Sequence, residues 1–227
     1  MPISENCRFA YIHIPKTGGT SLVQAMRSAA IDFTFEERGL WDLIYGRPDL
    51  ADILQALRKC FPLSTLTEFP QQHLPAQVLQ MLLGTNKWKE FFRFAFVRNP
   101  WDLVVSSYHF AKMNFLPVQY PLEPDIQAFV QRSDSFENFV NGFCAVRCDM
   151  SSFIEDKYGQ NAVDFIGRFE NYGNDLAYIS RRIGVELRLP HENRSEHNNY
   201  ATYYTKTTRD IVSKHFARDI DRFKYLF

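Results

Sequence analysis

The stretch Phe9-Ala-Tyr-Ile-His-Ile-Pro-Lys-Thr-Gly-Gly-Thr-Ser21 decides the fold, because it joins a strand, a turn and a helix in one short run. Its first half is rich in aromatic and β-branched side chains and predicts a buried strand that ends at Pro15. The glycine pair at 18–19 predicts a tight turn, and residues 20–30 carry apolar side chains at helical spacing. The chain therefore begins with a strand, a glycine turn and a helix.

A second strand, residues 91–97, is the strongest in the sequence and stops at Arg98-Asn99-Pro100, before a helix predicted over 101–113. Strands that alternate with helices predict an α/β fold with three layers, in which helices flank a central, mainly parallel sheet of the P-loop-like type. Ligands bind beyond the carboxyl ends of such strands. The remaining predicted elements are helices at 48–60, 75–83, 135–143, 171–183 and 207–222 and a short strand near 164–169.

Composition narrows the class of protein. A length of 227 residues predicts one domain over residues 1–227, and the 26 basic and 26 acidic residues balance. This balance argues against binding nucleic acid through bulk charge, and no run is apolar and long enough for a transmembrane segment. The four cysteines lack zinc-site spacing, so we expect free thiols, no metal and a cytoplasmic protein. The oligomeric state is left open.

The turn after the first strand has the residues of a phosphate-binding site. Glycines allow backbone amides to approach an anion closely, and the amino end of a helix presents N–H groups with partial positive charge. Lys16 adds a full charge, and Thr20 and Ser21 add hydroxyl donors. The loop is not a Walker A motif, because the sequence contains no Gly-Lys dipeptide. The alternative is an ordinary tight turn before a capped helix.

The end of the second strand also carries anion-binding side chains. Arg98 lies at the strand terminus, and Ser106 follows about two helical turns later. A guanidinium and a hydroxyl together suit a phosphate monoester. The alternative is that Arg98 pairs with Asp102 and serves the fold alone.

Together, PKTGGTS at 15–21 and FVRNPWDLVVSSY at 96–108 resemble the sulfotransferases that use 3′-phosphoadenosine 5′-phosphosulfate (PAPS). The similarity is closest to the carbohydrate-sulfotransferase branch and extends to residues 165–171, 189–195 and 223–225. Leu103 departs from the family, which often has a basic residue there. The resemblance implies PAPS as co-substrate without a metal, with its 5′-phosphosulfate on Lys16, Thr17, Gly18, Gly19, Thr20 and Ser21 and its 3′-phosphate on Arg98 and Ser106.

The resemblance also implies catalytic roles. Negative charge grows on the leaving phosphate during sulfuryl transfer, and Lys16 is the candidate that stabilises it. A base must accept the hydroxyl proton of the acceptor, and the carbohydrate branch places a histidine between the two motifs, which selects His73. The alternatives are a surface histidine at position 73 and a glutamate base, Glu36 or Glu37. Arg194 and Ser195 are expected to add contacts on the 3′-phosphate side.

The predicted reaction is transfer of a sulfuryl group from PAPS to a hydroxyl of a carbohydrate or similar acceptor. Residues 33–47 and 115–134 are expected to shape the acceptor site with aromatic side chains. Two rival functions remain: a nucleotide-dependent phosphotransferase, and a non-catalytic nucleotide-binding module of the same fold.

Overall fold

The computed structural model describes residues 3–32, 44–61, 73–113, 135–189 and 199–227. These residues form two compact units. The first unit contains 3–32, 44–59, 73–98 and 152–189, and the second contains 60–61, 99–113, 135–151 and 199–227. The single domain over residues 1–227 remains a prediction.

The first unit is built on a sheet that has four strands among the described residues, in the order β1-β2-β3-β4. β1 is antiparallel to β2, whereas β3 runs parallel to both β2 and β4. This arrangement confirms the predicted α/β fold with a mainly parallel sheet. The strands are β1 (Ile3–Ser4), β2 (Phe9–Ile12), β3 (Phe92–Val97) and β4 (Phe165–Arg168).

The α-helices of the described ranges follow the alternation that the sequence predicts, with three differences given below. In chain order they are α1 (Gly19–Ser28), α2 (Leu50–Arg58), α3 (Ala76–Leu83), α4 (Thr85–Glu90), α5 (Pro100–Met113), α6 (Phe136–Val146), α7 (Tyr172–Ile183), α8 (Lys206–His215) and α9 (Ala217–Phe223). Short 3₁₀ helices occupy Ser151–Phe153, Phe169–Asn171 and Tyr200–Tyr203. None of the helices in these ranges has the length and apolar character needed to cross a membrane.

Both faces of the sheet are buried, as expected for a three-layer fold. Alternate strand residues such as Tyr11 and Phe94 form one core with apolar residues of α1 and α7. Residues of the opposite face, such as Ile12 and Ala95, are also fully buried. Aromatic rings contribute to this core, where Tyr11 and Phe94 stack with ring centroids 5.2 Å apart.

The second unit is a layer of packed helices. α5 contacts α6, α8 and the 3₁₀ helix at 200–203, and α8 also contacts α6 and α9. Aromatic rings fill its interior: Tyr108 of α5 meets Phe136 and Phe139 of α6 edge-on. These contacts hold the helix that follows Arg98 in the sequence.

Three elements differ from the sequence prediction. The helix predicted over 207–222 is two helices, because Phe216 leaves the helical path, with φ −94° and ψ 23°, and is fully buried. α4 was not predicted, because the sequence predicts Gly84 only as the end of α3. In the structure Gly84 ends α3 and is also the N-cap residue of α4. β1 has two residues, too short for a periodic pattern.

Candidate functional site

The segment at residues 15–21, here called the cradle, follows the carboxyl end of β2 and includes the first three residues of α1. Lys16 and Gly18 both adopt left-handed backbone conformations, with φ of 68° and 91°. Such conformations turn successive amides toward one side of a loop and form anion-binding concavities. Only glycine adopts them without strain, so the cost at Lys16 marks a position that its surroundings hold in place.

The start of α1 suits an anion. Gly18 is the N-cap residue and has no side chain with which to cap the helix, and the first turn contains no acidic residue. The partial positive charge of the amino end is therefore not offset by a carboxylate of that turn. A Cβ atom on Gly19 would lie 1.8 Å from Nε2 of His13, so only glycine fits where the loop enters the helix. These features suit an anion at the start of α1, and the anion-binding role of the turn stays a prediction.

Arg98 joins the two sequence motifs directly. Its Nη1 donates a hydrogen bond to the carbonyl oxygen of Lys16 at 3.1 Å. The guanidinium lies over the ring of Phe169, 3.9 Å from its centroid, and Arg98 is only 4% exposed. The carboxyl ends of two parallel strands thus bring a cation to the cradle, as the strand-end rule predicts.

The cradle hydroxyls have different environments. Thr17 is fully buried, and its Oγ1 donates to the carbonyl oxygen of Ile14 at 2.8 Å. This bond stabilises the turn. Thr20 is exposed and Ser21 is half-buried at the first turn of α1. Ser21 and Thr20 are therefore the hydroxyls best placed to meet a ligand.

His73 lies beside the strand that leads into the cradle. Its Nδ1 is 2.8 Å from the carbonyl oxygen of His13, and the two imidazole rings have centroids 4.3 Å apart. A carbonyl oxygen only accepts, so Nδ1 of His73 donates the proton. The neutral ring then has its lone pair on Nε2, the arrangement that a general base requires.

His13 itself is held neutral. It is 6% exposed, and its Nδ1 is buried without a hydrogen-bond partner among the residues that the structure describes. Burial lowers the pKa of His13 well below its ordinary value, and the positive groups of His73 and Lys16 lower it further. His13 therefore serves packing and, through its carbonyl oxygen, the orientation of His73.

The remaining predicted residues lie elsewhere. Ser106 is buried within α5 of the second unit. In that unit, Nε2 of His109 is 2.8 Å from the hydroxyl of Tyr203, and burial, with Lys112, lowers the pKa of His109. Across the ranges that the structure describes, no cluster of three or more His, Cys, Asp or Glu side chains could hold a metal ion. Glu36, Glu37, Arg194, Ser195 and residues 115–134 lie outside those ranges.

Sequence reasoning missed two aromatic residues that contact the cradle. The hydroxyl of Tyr172 donates to the carbonyl oxygen of Gly18 at 2.8 Å, and Phe169 supports Arg98. Both follow β4, at a third strand end of the same sheet. The strand-end rule that selected Lys16 and Arg98 applies equally there, but aromatic side chains read as core residues.

Comparison with known proteins matches the chain to a protein family and to solved structures. The family model described as "Sulfotransferase family" matches residues 1–225. A crystal structure of mouse sulfotransferase SULT7A1 complexed with PAP is similar over 96% of this chain and 86% of that chain, with 12% identity and a TM-score of 0.45. No curated protein sequence matches the chain.

Proposed function

Because the chain belongs to the sulfotransferase family, we propose that it transfers a sulfuryl group from PAPS to a hydroxyl of a carbohydrate or similar acceptor. His73 is the base and Lys16 the cation at the leaving phosphate. The observation that carries the proposal is the meeting of the cradle with Arg98 through the Lys16 carbonyl oxygen. The acceptor class and the base go beyond the family assignment.

The donor nucleotide is recognised by charge and by backbone amides. The 5′-phosphosulfate binds at the cradle, where Lys16 and the amides at the start of α1 provide positive potential. Arg98 and Ser106 bind the 3′-phosphate, with Arg194 and Ser195 as further contacts on that side. Arg98 is nearly enclosed, so its charge is less screened by water than that of a surface arginine. A chain with zero formal net charge can bind a highly anionic nucleotide in this way.

The reaction moves one proton from the acceptor hydroxyl to the base and breaks one bond from sulfur to oxygen in PAPS. The acceptor hydroxyl gives its proton to Nε2 of His73, and the oxygen attacks the sulfur. The bond from sulfur to the bridging phosphate oxygen breaks, and its electron pair stays on that phosphate, where Lys16 stabilises the charge. The hydrogen bond from Nδ1 of His73 to the His13 carbonyl oxygen keeps the tautomer that this step needs.

A carbohydrate acceptor is proposed from the resemblance of the two motifs to that branch of the family. Aromatic side chains at residues 33–47 and 115–134 suit stacking on sugar rings. Glu37 is the reserve base if His73 does not act.

Ligand binding separates this function from its rivals. We expect 3′,5′-ADP to raise the melting temperature of the chain, and ATP with magnesium to raise it much less. Equal or greater stabilisation by ATP with magnesium would favour a phosphotransferase and overturn the proposal. Binding of 3′,5′-ADP without transfer of labelled sulfate to any acceptor of a hydroxyl panel would favour a non-catalytic module.

The base is tested with His73→Asn. The asparagine amide can still donate to the His13 carbonyl oxygen, but it cannot accept a proton. We expect sulfate transfer to fall about a hundredfold or more while 3′,5′-ADP binding persists. His215→Ala is the matched control, because His215 also bonds a backbone carbonyl, that of Arg147 at 2.7 Å, but in the second unit. Undiminished transfer by His73→Asn would rule out His73 as the base.

A further inference from the structure

Two carbonyl oxygens of the cradle are held from outside the loop. The left-handed residues Lys16 and Gly18 direct amides toward a ligand only while their own carbonyls stay turned away. The Lys16 carbonyl accepts from Arg98, and the Gly18 carbonyl accepts from Tyr172 as well as from the amide of Leu22 in α1. Each left-handed residue thus has its carbonyl bonded to a long side chain.

Tyr172 is a rigid donor. Its ring stacks on Phe96 of β3 with centroids 4.3 Å apart and planes inclined by 19°. Burial raises the pKa of its hydroxyl well above the ordinary value, so the group remains a proton donor at neutral pH. Tyr172 is also the first residue of α7, so the donor stands on a helix that packs against the core of the sheet.

Phe169 completes the contact. A Cβ atom on Gly18 would lie 2.6 Å from Tyr172 and 3.2 Å from Phe169, so both rings pack directly on the glycine. The Phe169 ring also lies beneath the Arg98 guanidinium, an arrangement in which the ring face attracts the cation. The 3₁₀ helix Phe169–Asn171 therefore touches the cradle and Arg98 at once.

We propose that Tyr172 and Phe169 are positioning residues for the donor nucleotide: Tyr172 holds the cradle in its anion-binding shape, and Phe169 holds Arg98. This inference rests on the proposed function for the identity of the ligand. Tyr172 acts on the 5′ end of the nucleotide alone, whereas Phe169 contacts both Gly18 of the cradle and the cation assigned to the 3′-phosphate.

Three nucleotides test the assignment: 3′,5′-ADP carries both phosphates, 5′-AMP carries only the 5′-phosphate, and 3′-AMP carries only the 3′-phosphate. Calorimetry on the full chain measures the affinity for each. Tyr172→Phe keeps the ring and loses the hydroxyl. We expect it to lower the affinity for 3′,5′-ADP and 5′-AMP about fivefold and to leave the affinity for 3′-AMP unchanged. We expect Phe169→Leu to lower the affinity for 3′-AMP and for 3′,5′-ADP. Tyr178→Phe, on the same helix and partly exposed, is the matched control and leaves all three affinities unchanged.

The outcomes separate this inference from the function on which it rests. A merely structural tyrosine would lower the three affinities alike, and that result overturns the positioning role, as does an affinity of Tyr172→Phe within twofold of the parent for 3′,5′-ADP. Failure of the parent chain to bind 3′,5′-ADP overturns the proposed function and the assignment to nucleotide together. Kinetics give a second reading: Tyr172→Phe raises the KM for PAPS and leaves the KM for the acceptor unchanged.

Hydrogen exchange tests the shape of the cradle without any ligand. If Tyr172 restrains the loop, the amides of Gly19–Ser21 exchange faster in Tyr172→Phe than in the parent and in Tyr178→Phe. Equal protection in all three proteins overturns the restraint, whichever ligand the cradle binds.

Discussion

Two places in the molecule present backbone amides at the start of a helical turn, and the acceptors of their hydrogen bonds differ. In the second unit, the amides of Met150 and Ser151 donate to the carboxylate of Asp219 at 2.7 and 2.9 Å, and Oγ of Ser151 donates at 2.6 Å. In the first unit, α1 starts after Gly18, which has no side chain to cap the helix, and its first turn contains no acidic residue. One set of donors has an anion from the chain, and the other is proposed to receive it from a substrate.

The two places differ in the source of the anion. Asp219 is fully buried and meets two amides and a hydroxyl, whereas the sequence predicts backbone amides, the charge of Lys16 and the hydroxyls of Thr20 and Ser21 for a phosphate at the cradle. At the start of helix α5, after the second motif, a side chain of the protein also accepts from the backbone, because the amide of Trp101 donates to Oδ1 of Asn99 at 3.0 Å. At both of these places an amide donates to a side chain of the protein, whereas we propose that the amides at the start of α1 donate to an anion of the substrate.

The largest effect is expected where the cradle cannot accept a side chain. Gly19→Ala would place a Cβ atom 1.8 Å from the buried ring of His13, so the loop or the ring must move. We expect the affinity for 3′,5′-ADP to fall about a thousandfold, because overpacking distorts the amides that face the anion. Calorimetric titration measures the loss.

Gly173→Ala is the matched control. Gly173 lies in α7, and a Cβ atom there meets nothing within 4 Å. Alanine is the better helix former, so the chain is expected to gain about 0.5–1 kcal/mol of stability and to keep its affinity. If Gly19→Ala binds 3′,5′-ADP as the parent does, the cradle is an ordinary turn and the contrast with Asp219 disappears.

The fold follows closely from the sequence where local pattern and packing agree. The strands β2 and β3, the glycine turn and α1 are found within two residues of their predicted bounds, because each combines periodicity with a Gly or Pro stop. The break at Phe216 has no such stop. A buried aromatic ring decides it through packing, and a single sequence does not show packing.

The candidate site shows the same division. The meeting of Lys16 with Arg98 was predictable, since carboxyl ends of parallel strands share one edge. The hydrogen bond from His73 to the His13 carbonyl oxygen joins residues 60 apart and depends on how the chain returns to the sheet. Tyr172 was missed because its function lies in one hydroxyl, whereas its ring carries the signature of a core residue.

The second prediction concerns the internal anion. Burial raises the pKa of Asp219 from 3.8 to about 6, although the bonds from Ser151 and the Met150 amide act in the opposite direction. The folded state therefore binds this proton more tightly than the unfolded state does. The resulting stabilisation is full below pH 3.8 and is lost as pH rises through about 6, a change of about 3 kcal/mol.

Urea unfolding between about pH 4 and pH 7 tests this slope. In the parent, we expect the free energy of unfolding to decline as pH rises over this range. In Asp219→Asn, we expect that decline to be absent. Asp221→Asn on the same helix is the control, because Asp221 is exposed and pairs only with Lys224 among the contacts seen. Parallel curves for the parent and Asp219→Asn would show that the buried carboxylate does not titrate in this range.

The smallest effect is expected from a cradle hydroxyl. Ser21→Ala removes one donor from the first turn of α1 and leaves the backbone amides in place, so the affinity for 3′,5′-ADP is expected to fall about fivefold. Ser28→Ala, at the other end of α1, is the control and leaves the affinity unchanged. If Ser21→Ala costs as much affinity as Gly19→Ala, side chains rather than amides bind the anion. The cradle would then differ from the Asp219 site in its donors as well as in the source of its anion.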